Sequence, residues 1–532
     1  MDCIATRLPY RQTNSFSKTV LDYLDHTEGL KPFYTHLPTV QGIQKAIDAR
    51  KEFATNRELL VQELKKQYKG VPISDKINEN IELLLSADTF TITTAHQNNI
   101  FTGPLYFIYK IVHAIKMADQ LKQSLPSYNF VPVFYIGSED ADLDELNHIY
   151  IGGEKLQWNT TQKGAVGRMK VDKELVKLIG LMEGQLLVLP HGKEIISSLK
   201  EFYKEGATIQ DVTFRLVNSL FAAFGLLVLL PDNALLKKQM TAVFEDDLFN
   251  QTASGIVEKT AEKLEGAGYK VQASPREINL FYLINDKRER IEVQDAKYEV
   301  RTLGLQFSKE EILKELEQYP ERFSANVILR GAFQETVLPN IAFIGGGGEL
   351  AYWLELKNVF AAVNIPYPVL LLRNSFLLLK SDQANKLKKL GFTDADLFKD
   401  ALDLLNTLVK RESENQLNLT NELQQAKNLY AQLQKISGAV DQTLSQHVTA
   451  LEKQALKKLT ELEKKILRAE RFKYDTQQKQ ITKLKQDLFP ANSLQERVDN
   501  FSLYYATHGK TWLTRIYDVS TGLNSGFGVV TN

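Results

Sequence analysis

The chain has 532 residues, which is too long for one hydrophobic core and predicts roughly three to four domains or one core with large insertions. Its 65 basic and 65 acidic side chains cancel, which excludes a global field that would attract nucleic acid or an anionic membrane. The single cysteine, Cys3, excludes an internal disulfide, and residues 1–10 lack the basic and apolar regions of a signal peptide. These features predict a cytoplasmic protein with no nucleic-acid partner and no membrane anchor.

Apolar runs alternate with helical segments along the chain, and each run ends at its carboxyl side in polar or glycine residues. The runs lie at 90–93, 131–136, 226–230, 327–329, 341–344 and 369–372. Continuous apolar strands alternating with helices such as 105–121 and 349–361 are typical of a parallel sheet covered on both faces. The pattern predicts an α/β fold in which the polar strand ends converge on one cleft.

The first of these junctions joins strand 90–93 to a helix that is predicted to open at Pro104. It contains His96, Gln97, Asn98, Asn99, Thr102 and Gly103. A helix start at the carboxyl edge of a sheet offers free N–H groups and a positive dipole end, and the polar side chains add donors. The junction predicts a site for a phosphate or carboxylate, and common scaffolding with a structural histidine is the alternative.

An acidic stretch follows the second strand. It contains Glu139, Asp140, Asp142, Asp144 and Glu145 and ends at His148. Carboxylates packed this closely repel one another unless a cation or a proton compensates. Three functions are open: binding Mg²⁺ for a nucleotide, acting as a general base toward an attacking amine, and binding a ligand's ammonium group. A solvated, acidic helix start is the alternative.

Four glycines at 345–348 again separate a strand from a helix. Gly346, Gly347 and Gly348 would let a ligand approach the backbone closely, and glycine also permits positive φ. The run lacks the lysine of a Walker loop and the spacing of a dinucleotide turn, so a tight structural turn is the alternative.

Cationic and amide side chains follow two other predicted strands. Arg330, Gln334 and Arg373 could hold carboxylates or phosphates through forked hydrogen bonds. Metal-binding spacings such as HExxH and CxxC, and the GxSxG elbow of serine hydrolases, do not occur in the sequence. We therefore predict no protein-bound structural metal, and the sequence excludes zinc-hydrolase and thiol-nucleophile chemistry.

The domain organisation follows from shifts in composition. A core over 1–385 is interrupted near 152–200 and 244–323 by stretches that would form subdomains over the cleft. Over 394–488 leucine, lysine, glutamate and glutamine dominate, and apolar residues recur every three or four positions. We interpret this region as an antiparallel coiled coil with a break at Ser437-Gly438, either a dimerisation arm or a helical domain with its own core. Segment 490–532 is expected to return to the core, with a loop and strand over 522–530.

Six spaced segments resemble a known family. They are His96-Gln97 with 100–106 and 109–110; 131–134 leading into Glu139-Asp140 and 147–148; 329–330 with Gln334 and 335; 338–339; 346–353; and 494–497. In this order they resemble the cysteine-adding enzyme family of bacillithiol biosynthesis, a route to a low-molecular-weight thiol.

The resemblance implies a Rossmann-like core similar to class I aminoacyl-tRNA synthetases and nucleotidyl transferases, with two inserted connecting subdomains and a C-terminal coiled coil for homodimerisation. It implies a carbon–nitrogen ligase that adds L-cysteine to glucosaminyl-malate, with ATP or another nucleotide and Mg²⁺ for activation. The His96 loop would occupy the place of the synthetases' HIGH signature, and a lysine-rich KMSKS partner is not evident.

The residues implicated by the resemblance and by the motifs fall into two groups. The catalytic candidates are His96, Glu139, Asp140, Asp142 and His148. The candidates for binding substrate or nucleotide are Gln97, Asn98, Thr102, Gly103, Arg330, Gln334, Gly346, Gly347, Gly348, Glu349, Tyr352 and Arg373.

The chain departs from the apparent family at two places. Asn98-Asn99 replace a usual proline-glycine pair, and Ala141 stands where a histidine is usual, so His96 or His148 would have to serve as acid or base. Two alternatives therefore stay open. One is an adenylate-forming ligase that joins another amino acid to an amino sugar, and the other is a non-catalytic scaffold whose coiled coil recruits partners.

Overall fold

A computed structural model of the protein describes residues 4–523 and 526–531. Cys3 and part of the predicted 522–530 loop lie outside the described residues. The chain divides into two compact units, the first within Met1–Leu377 and Ser493–Val530, and the second within Leu378–Asn492 and Thr531–Asn532.

The strands are short in the insertions and longest in the centre of the first unit. They are β1 Ile4–Leu8, β2 Thr89–Gln97, β3 Asn129–Gly137, β4 His148–Ile151, β5 Glu154–Gln157, β6 Leu227–Leu229, β7 Leu280–Ile284, β8 Lys287–Arg290, β9 Glu292–Gln294, β10 Lys297–Val300, β11 Leu305–Phe307, β12 Phe323–Ala325, β13 Asn340–Gly345, β14 Val369–Leu372, β15 Ser375–Leu379 and β16 Phe527–Thr531.

The α-helices connect these strands and make up most of the second unit. They are α1 Lys18–Leu24, α2 Val40–Lys51, α3 Arg57–Gln67, α4 Asp75–Leu83, α5 Tyr106–Ser124, α6 Leu143–Leu146, α7 Lys173–Leu186, α8 Gly192–Phe202, α9 Ile209–Phe221, α10 Ala234–Lys238, α11 Thr241–Phe249, α12 Thr252–Gly266, α13 Lys309–Gln318, α14 Val327–Val337, α15 Gly347–Ala362, α16 Ser381–Lys389, α17 Ala401–Glu412, α18 Thr420–Val440, α19 Gln442–Arg471, α20 Asp475–Leu488, α21 Phe501–His508 and α22 Lys510–Val519.

A five-stranded sheet forms the centre of the first unit, in the order β14-β13-β2-β3-β6. Each neighbouring pair is parallel, as the continuous apolar runs predict. The chain builds β3 and then β6 on one side of β2 and afterwards places β13 and β14 on the other side. This reversal beside β2 opens a crevice at the carboxyl edge of the sheet, where ligands bind in doubly wound folds.

Apolar side chains on the sheet pack against helices and fix its position. Phe90 and Ile92 of β2 share one core with Met117 of α5 and Ile47 of α2, and all four are fully buried. Phe343 of β13 stacks on Trp353 of α15, with ring centroids 4.5 Å apart. Fully burying a side chain of this size stabilises the fold by roughly 1.5–3 kcal/mol, so the sheet is a rigid platform for its loops.

Two predicted elements at the central sheet differ from the structure. The run 327–329, predicted as a strand, is the first turn of α14, where the Asn326 side chain accepts a hydrogen bond from the Ile328 N–H at 2.8 Å. This cap and the burial of Ile328, Leu329 and Phe333 favour a helix over a strand. The helix predicted to open at Pro104 begins two residues later, at Tyr106, because residues 100–102 form a separate 3₁₀ turn.

The two insertions, both within the described residues, form small elements, and only the second contributes residues to the wall of the crevice, namely Gln272, Phe281 and Arg288. In the first insertion, β5 pairs with β4 as a hairpin and is followed by α7 and α8. In the second, β7 pairs with β8 and β12, while β9, β10 and β11 form another antiparallel sheet. The strand-like run 270–272 has no regular structure.

The second unit is helical, and α18 packs along α19 as a helical hairpin. The predicted break at Ser437-Gly438 lies inside α18, and the turn comes at Asp441. Asp441 ends the first helix because it has an extended backbone and accepts a hydrogen bond from the Thr443 N–H at 2.8 Å. In the described part of the chain, no helix is both long enough and apolar enough to cross a membrane.

The segment after residue 493 is tied to the rest of the first unit by buried hydrogen bonds. His113 of α5 lies 2.8 Å from the Gly522 carbonyl through Nε2, and its Nδ1 accepts the Asn374 N–H at 3.2 Å. The Asn374 side chain donates to the Thr521 carbonyl and accepts the Thr521 N–H, each at 2.9 Å. Because Nδ1 acts as an acceptor, this arrangement requires a neutral imidazole, and burial lowers the pKa of His113 to about 4.

We expect His113 to make the protein less stable in acid. The unfolded chain takes up this proton near pH 6.5 and the folded chain only near pH 4, so the unfolded state binds more protons between these values. The free energy of unfolding should therefore fall as the pH falls through this window, by up to about 3 kcal/mol from this residue. Chemical denaturation of the wild type and of His113→Gln at several pH values measures the difference, and parallel pH curves would contradict it.

Candidate active site

A cavity of about 880 Å³ lies at the carboxyl edge of the central sheet. Every strand of that sheet contributes to its wall through its last residue or the residues just beyond it. These residues are Gln97 at the end of β2, Ser138 after β3, Pro231 after β6, Gly346 after β13 and Arg373 after β14. The convergence predicted from the sequence is thus confirmed.

His96 lies near the end of β2 and faces the cavity. Its ring stacks on Tyr106 and Phe107 at the start of α5, with centroids 5.3 and 5.4 Å apart. Burial, followed by the positive charges of Lys110, Arg373 and Arg330, holds the pKa of His96 well below its usual range. The imidazole is therefore neutral at physiological pH: one ring nitrogen can donate an N–H and the other can accept a hydrogen bond.

Lys110 of α5 links the carboxyl end of β2 to the start of α15. Its ammonium pairs with the Glu349 carboxylate and donates to the Ala95 carbonyl at 3.0 Å. Glu349 also accepts the Gly346 N–H at 2.8 Å and so fixes the start of α15. Burial lowers the pKa of Lys110 while the Glu349 charge opposes this effect.

The glycine run provides space, and none of its members uses positive φ. A Cβ at Gly345 would lie 2.9 Å from the Phe343 ring, and one at Gly347 would lie 3.1 Å from Val20, so both glycines allow close packing. A Cβ at Gly348 would meet no atom within 4 Å. The first N–H groups of α15 have no partner within the helix and lie at the cavity wall, which favours an anion there.

Two arginines reach the cavity and differ in how far their guanidinium groups are already bound by the protein. Arg330 donates to the Tyr352 hydroxyl at 2.5 Å, which leaves other N–H groups of its guanidinium for a ligand. Arg373 is held by the Glu496 carboxylate at 2.8 Å and by the Ser375 hydroxyl at 3.1 Å. The fork of Arg373 is thus largely occupied from within the protein, and Arg330 is the better candidate for binding substrate.

In the acidic stretch, Glu139 is paired with a cation, and among the described residues Asp140 is not. Glu139 pairs with Lys237, whose ammonium lies 3.7 Å from Asp232, and Arg168 binds both oxygens of Asp232 at 2.6 and 2.7 Å. These four charges compensate one another. Asp140 instead accepts a hydrogen bond from the Gln97 amide at 2.6 Å and faces the cavity. Asp140 is therefore the candidate for binding an amine.

Several predicted residues lie outside the cavity wall. Asn98, Thr102 and Gly103 belong to the loop between β2 and α5, where Asn98 donates to the Gly137 carbonyl at 3.3 Å. Asp142 is exposed and precedes the short helix α6, and His148 begins β4 beside Asn147. Gln334 is fully buried and donates to Glu335 at 3.0 Å.

The cavity also contains charged residues that the sequence did not single out as site candidates. They are Lys110, Glu145, Arg288 and Arg497. Arg288 comes from β8 in the second insertion, is stacked over Phe281 at 3.9 Å and donates to Ser324 at 2.8 Å. An arginine in a short, charged hairpin carries no recognisable sequence signal, since only the fold brings it to the cavity.

A nucleotide with Mg²⁺ would find suitable groups in this cavity. The start of α15 and Arg330 match phosphate oxygens, and Asp140 and Glu145 are carboxylates that line the same cavity. Mg²⁺ is usually held by one or two carboxylates together with substrate phosphates, so a dedicated protein cage is not required. Among the described residues, no group of three or more His, Cys, Asp or Glu side chains is placed to hold a metal ion.

Two family models together match almost the whole chain. Residues 2–374 match the N-terminal Rossmann-like domain described for bacillithiol biosynthesis BshC, and residues 376–532 match its C-terminal coiled-coil domain. The chain is thus similar along its length to one family with both predicted parts.

Curated relatives give the same result. A protein of Flavobacterium johnsoniae named "Putative cysteine ligase BshC" is 40% identical and covers 100% of this chain and 99% of its own. Proteins with the same name from Flavobacterium psychrophilum and Bacillus cytotoxicus are 39% and 25% identical, and cover 99% and 96% of this chain and 99% and 97% of their own.

One solved structure also matches. It is titled as a putative arginyl-tRNA synthetase of Campylobacter jejuni and has a TM-score of 0.21 and 10% identity, covering 88% of this chain and 99% of its own. The likeness is too distant to carry an argument.

We expect Lys237 and Glu139 to be energetically coupled. Lys237→Met should lower the free energy of unfolding by about 3–5 kcal/mol, because it leaves the Glu139 carboxylate without its buried cation. Combining it with Glu139→Gln should cost less than the sum of the two single changes, as measured by chemical denaturation. The matched control is Lys177→Met, which removes an exposed partner of Glu174 and should change stability by less than about 1 kcal/mol. Additive effects of Lys237→Met and Glu139→Gln would contradict the coupling.

Proposed function

Because the chain belongs to the BshC family of bacillithiol biosynthesis, we propose that it is a carbon–nitrogen ligase that joins L-cysteine to the amine of glucosaminyl-malate. The observation that carries this proposal is that one cavity contains both an acceptor for an amine and donors for anions. Asp140 offers a carboxylate to an amine, while Arg330 and the start of α15 offer donors to anions.

Asp140 suits one substrate, and Arg330 with the start of α15 suits the other. An amine bound at Asp140 would lie within the same cavity as a carboxylate or phosphate bound at Arg330 and Gly348, so the reacting groups are held together. Arg330 would also suit a malate carboxylate, because guanidinium groups bind carboxylates through paired hydrogen bonds. Arg373 also lines the cavity, but its own fork binds Glu496.

Amide formation requires the amine to lose a proton and the carbonyl oxygen to gain negative charge. When bound, a nucleotide with Mg²⁺ would activate the cysteine carboxylate. The amine nitrogen then attacks the carboxyl carbon, Asp140 takes the proton from nitrogen, and the activating group leaves with the electron pair of its bond. The neutral N–H of His96 would donate to the developing oxyanion, which is the type of contact that accelerates acyl transfer.

The proposal predicts a product that forms only in a complete mixture. The purified protein is incubated with cysteine, glucosaminyl-malate, ATP and Mg²⁺, each is omitted in turn, and the amide is detected by mass spectrometry. His96→Ala should lower turnover by about 10²–10³, the typical effect of losing one oxyanion donor.

The matched control is His447→Ala, which changes an exposed histidine of α19. It should leave turnover unchanged. Product without ATP would remove nucleotide activation from the mechanism. Product with serine or alanine in place of cysteine would indicate a ligase for another amino acid, and a folded protein without product would leave the scaffold alternative.

We also propose that the second unit forms a homodimer through the hairpin of α18 and α19. Large apolar side chains are exposed along it, namely Leu429, Leu433, Ile436, Val440, Leu444, Leu451 and Leu462. A second copy of the same amphipathic hairpin would cover them, as in coiled-coil association.

Replacing Leu433 and Ile436 together by glutamate should convert this dimer to a monomer, because charge would be buried at the interface. Light scattering coupled to size-exclusion chromatography measures the mass. The exposed pair Lys457 and Lys458, changed to glutamine, serves as control. A monomeric wild type would contradict the proposal.

A further inference from the structure

The loop that connects β2 to α5 has an unusual backbone. Phe101, Thr102 and Gly103 follow one another with φ of 49°, 66° and 64°. This left-handed region is uncommon for residues with a side chain and is least favourable for a β-branched residue such as Thr102. Consecutive residues in this conformation persist only where the surrounding structure holds them.

Asn500, in the segment that follows the second unit in sequence, holds the loop through hydrogen bonds. It is 1% exposed, and its Nδ2 donates to the Phe101 carbonyl at 2.9 Å and to the Gly103 carbonyl at 2.7 Å. The two bonds lie on either side of Thr102, so they fix the carbonyl directions that the left-handed backbone creates. Tyr203 adds one more contact, since its hydroxyl accepts the Phe101 N–H at 2.8 Å.

Asn500 is itself fixed from both sides. Its backbone N–H donates to the Tyr150 carbonyl at 2.9 Å, and its Oδ1 accepts the Ser502 N–H at 3.0 Å as the cap of α21. The Asp499 carbonyl accepts the Leu105 N–H at 2.8 Å. Each polar group of the Asn500 side chain therefore has a partner, and its amide cannot rotate without losing several hydrogen bonds.

The position of the loop affects the cavity because residues that line or border the cavity lie at both ends of the loop. His96 precedes the loop, and Tyr106 and Phe107, which stack on the His96 ring, follow it. A change in the loop would move the start of α5 and with it the surfaces that bury His96. Lys110, one turn further along α5, would lose its place opposite Glu349.

We propose that Asn500 is a positioning residue that holds the left-handed loop 101–103 and thereby places His96 and α5 at the cavity. Its effect on catalysis rests on the proposed ligase function, whereas its effect on the loop does not. The segment around residue 500 is, in this view, a component of the site.

The test uses the full-length protein with Asn500→Ala and Asn500→Asp. Aspartate keeps the shape and the acceptor for Ser502 but lacks the two donors, so both variants should release the loop. Amide hydrogen exchange, followed by mass spectrometry, should be at least about tenfold faster in peptides covering 98–107. With ligase substrates, kcat should fall by about 10²-fold while KM changes less than about threefold, since misplacement affects the reacting geometry.

Asn80 provides a matched control. It is a buried asparagine of α4 whose Nδ2 donates at 2.6 Å to the carbonyl of Gly225, a residue with φ of 78°. Asn80→Ala should leave exchange in 98–107 and kcat at wild-type values.

The outcomes separate the two proposals. Wild-type exchange in 98–107 for folded Asn500→Ala or Asn500→Asp would overturn the positioning role. Exchange that rises equally throughout the first unit for Asn500→Ala and Asn80→Ala would also overturn it, because Asn500 would then be an ordinary stabilising residue. A wild type without ligase activity but with faster loop exchange in the variants would reject the proposed function and support the positioning role.

Discussion

Parallel pairing of β2 with its neighbours is the constraint on which the rest of the structure depends. Because β3, β6, β13 and β14 all run in the direction of β2, their carboxyl ends meet at one edge. Residues that are far apart in sequence, such as His96 and Arg373, therefore line one cavity. The same arrangement places the start of α15 there, and with it unpaired N–H groups and a positive dipole end.

Charge compensation decides which of these residues can act on a ligand. Burying several ionised groups is unfavourable unless each has a partner, and most of those around the cavity have one. Glu139 is paired with Lys237, Glu349 with Lys110, and Arg373 with Glu496. Arg330 and Asp140 instead bind neutral partners, the Tyr352 hydroxyl and the Gln97 amide. These two side chains retain the hydrogen-bonding capacity that a substrate needs.

Segments remote in sequence complete the site. The second insertion brings Arg288, and the residues after 493 bring Glu496, Arg497 and Asn500. Glu496 holds Arg373 through one oxygen and the Phe376 N–H through the other, at 2.8 and 3.2 Å. The end of the first unit is therefore part of the cavity's support.

The sequence by itself determined the parallel sheet, the helical character of 394–488 and the positions of the polar strand ends, because these depend on local periodicity. It also indicated His96, Asp140, Arg330 and the glycine run as members of one cleft. Only the tertiary structure decided that 327–329 is helical, since the Asn326 cap and burial of Ile328 outweigh a short apolar run. It also decided that Gln334 is buried in the core, that Asp142 and His148 lie outside the cavity and that Glu139 is paired with Lys237. Ion pairing and burial depend on partners distant in sequence.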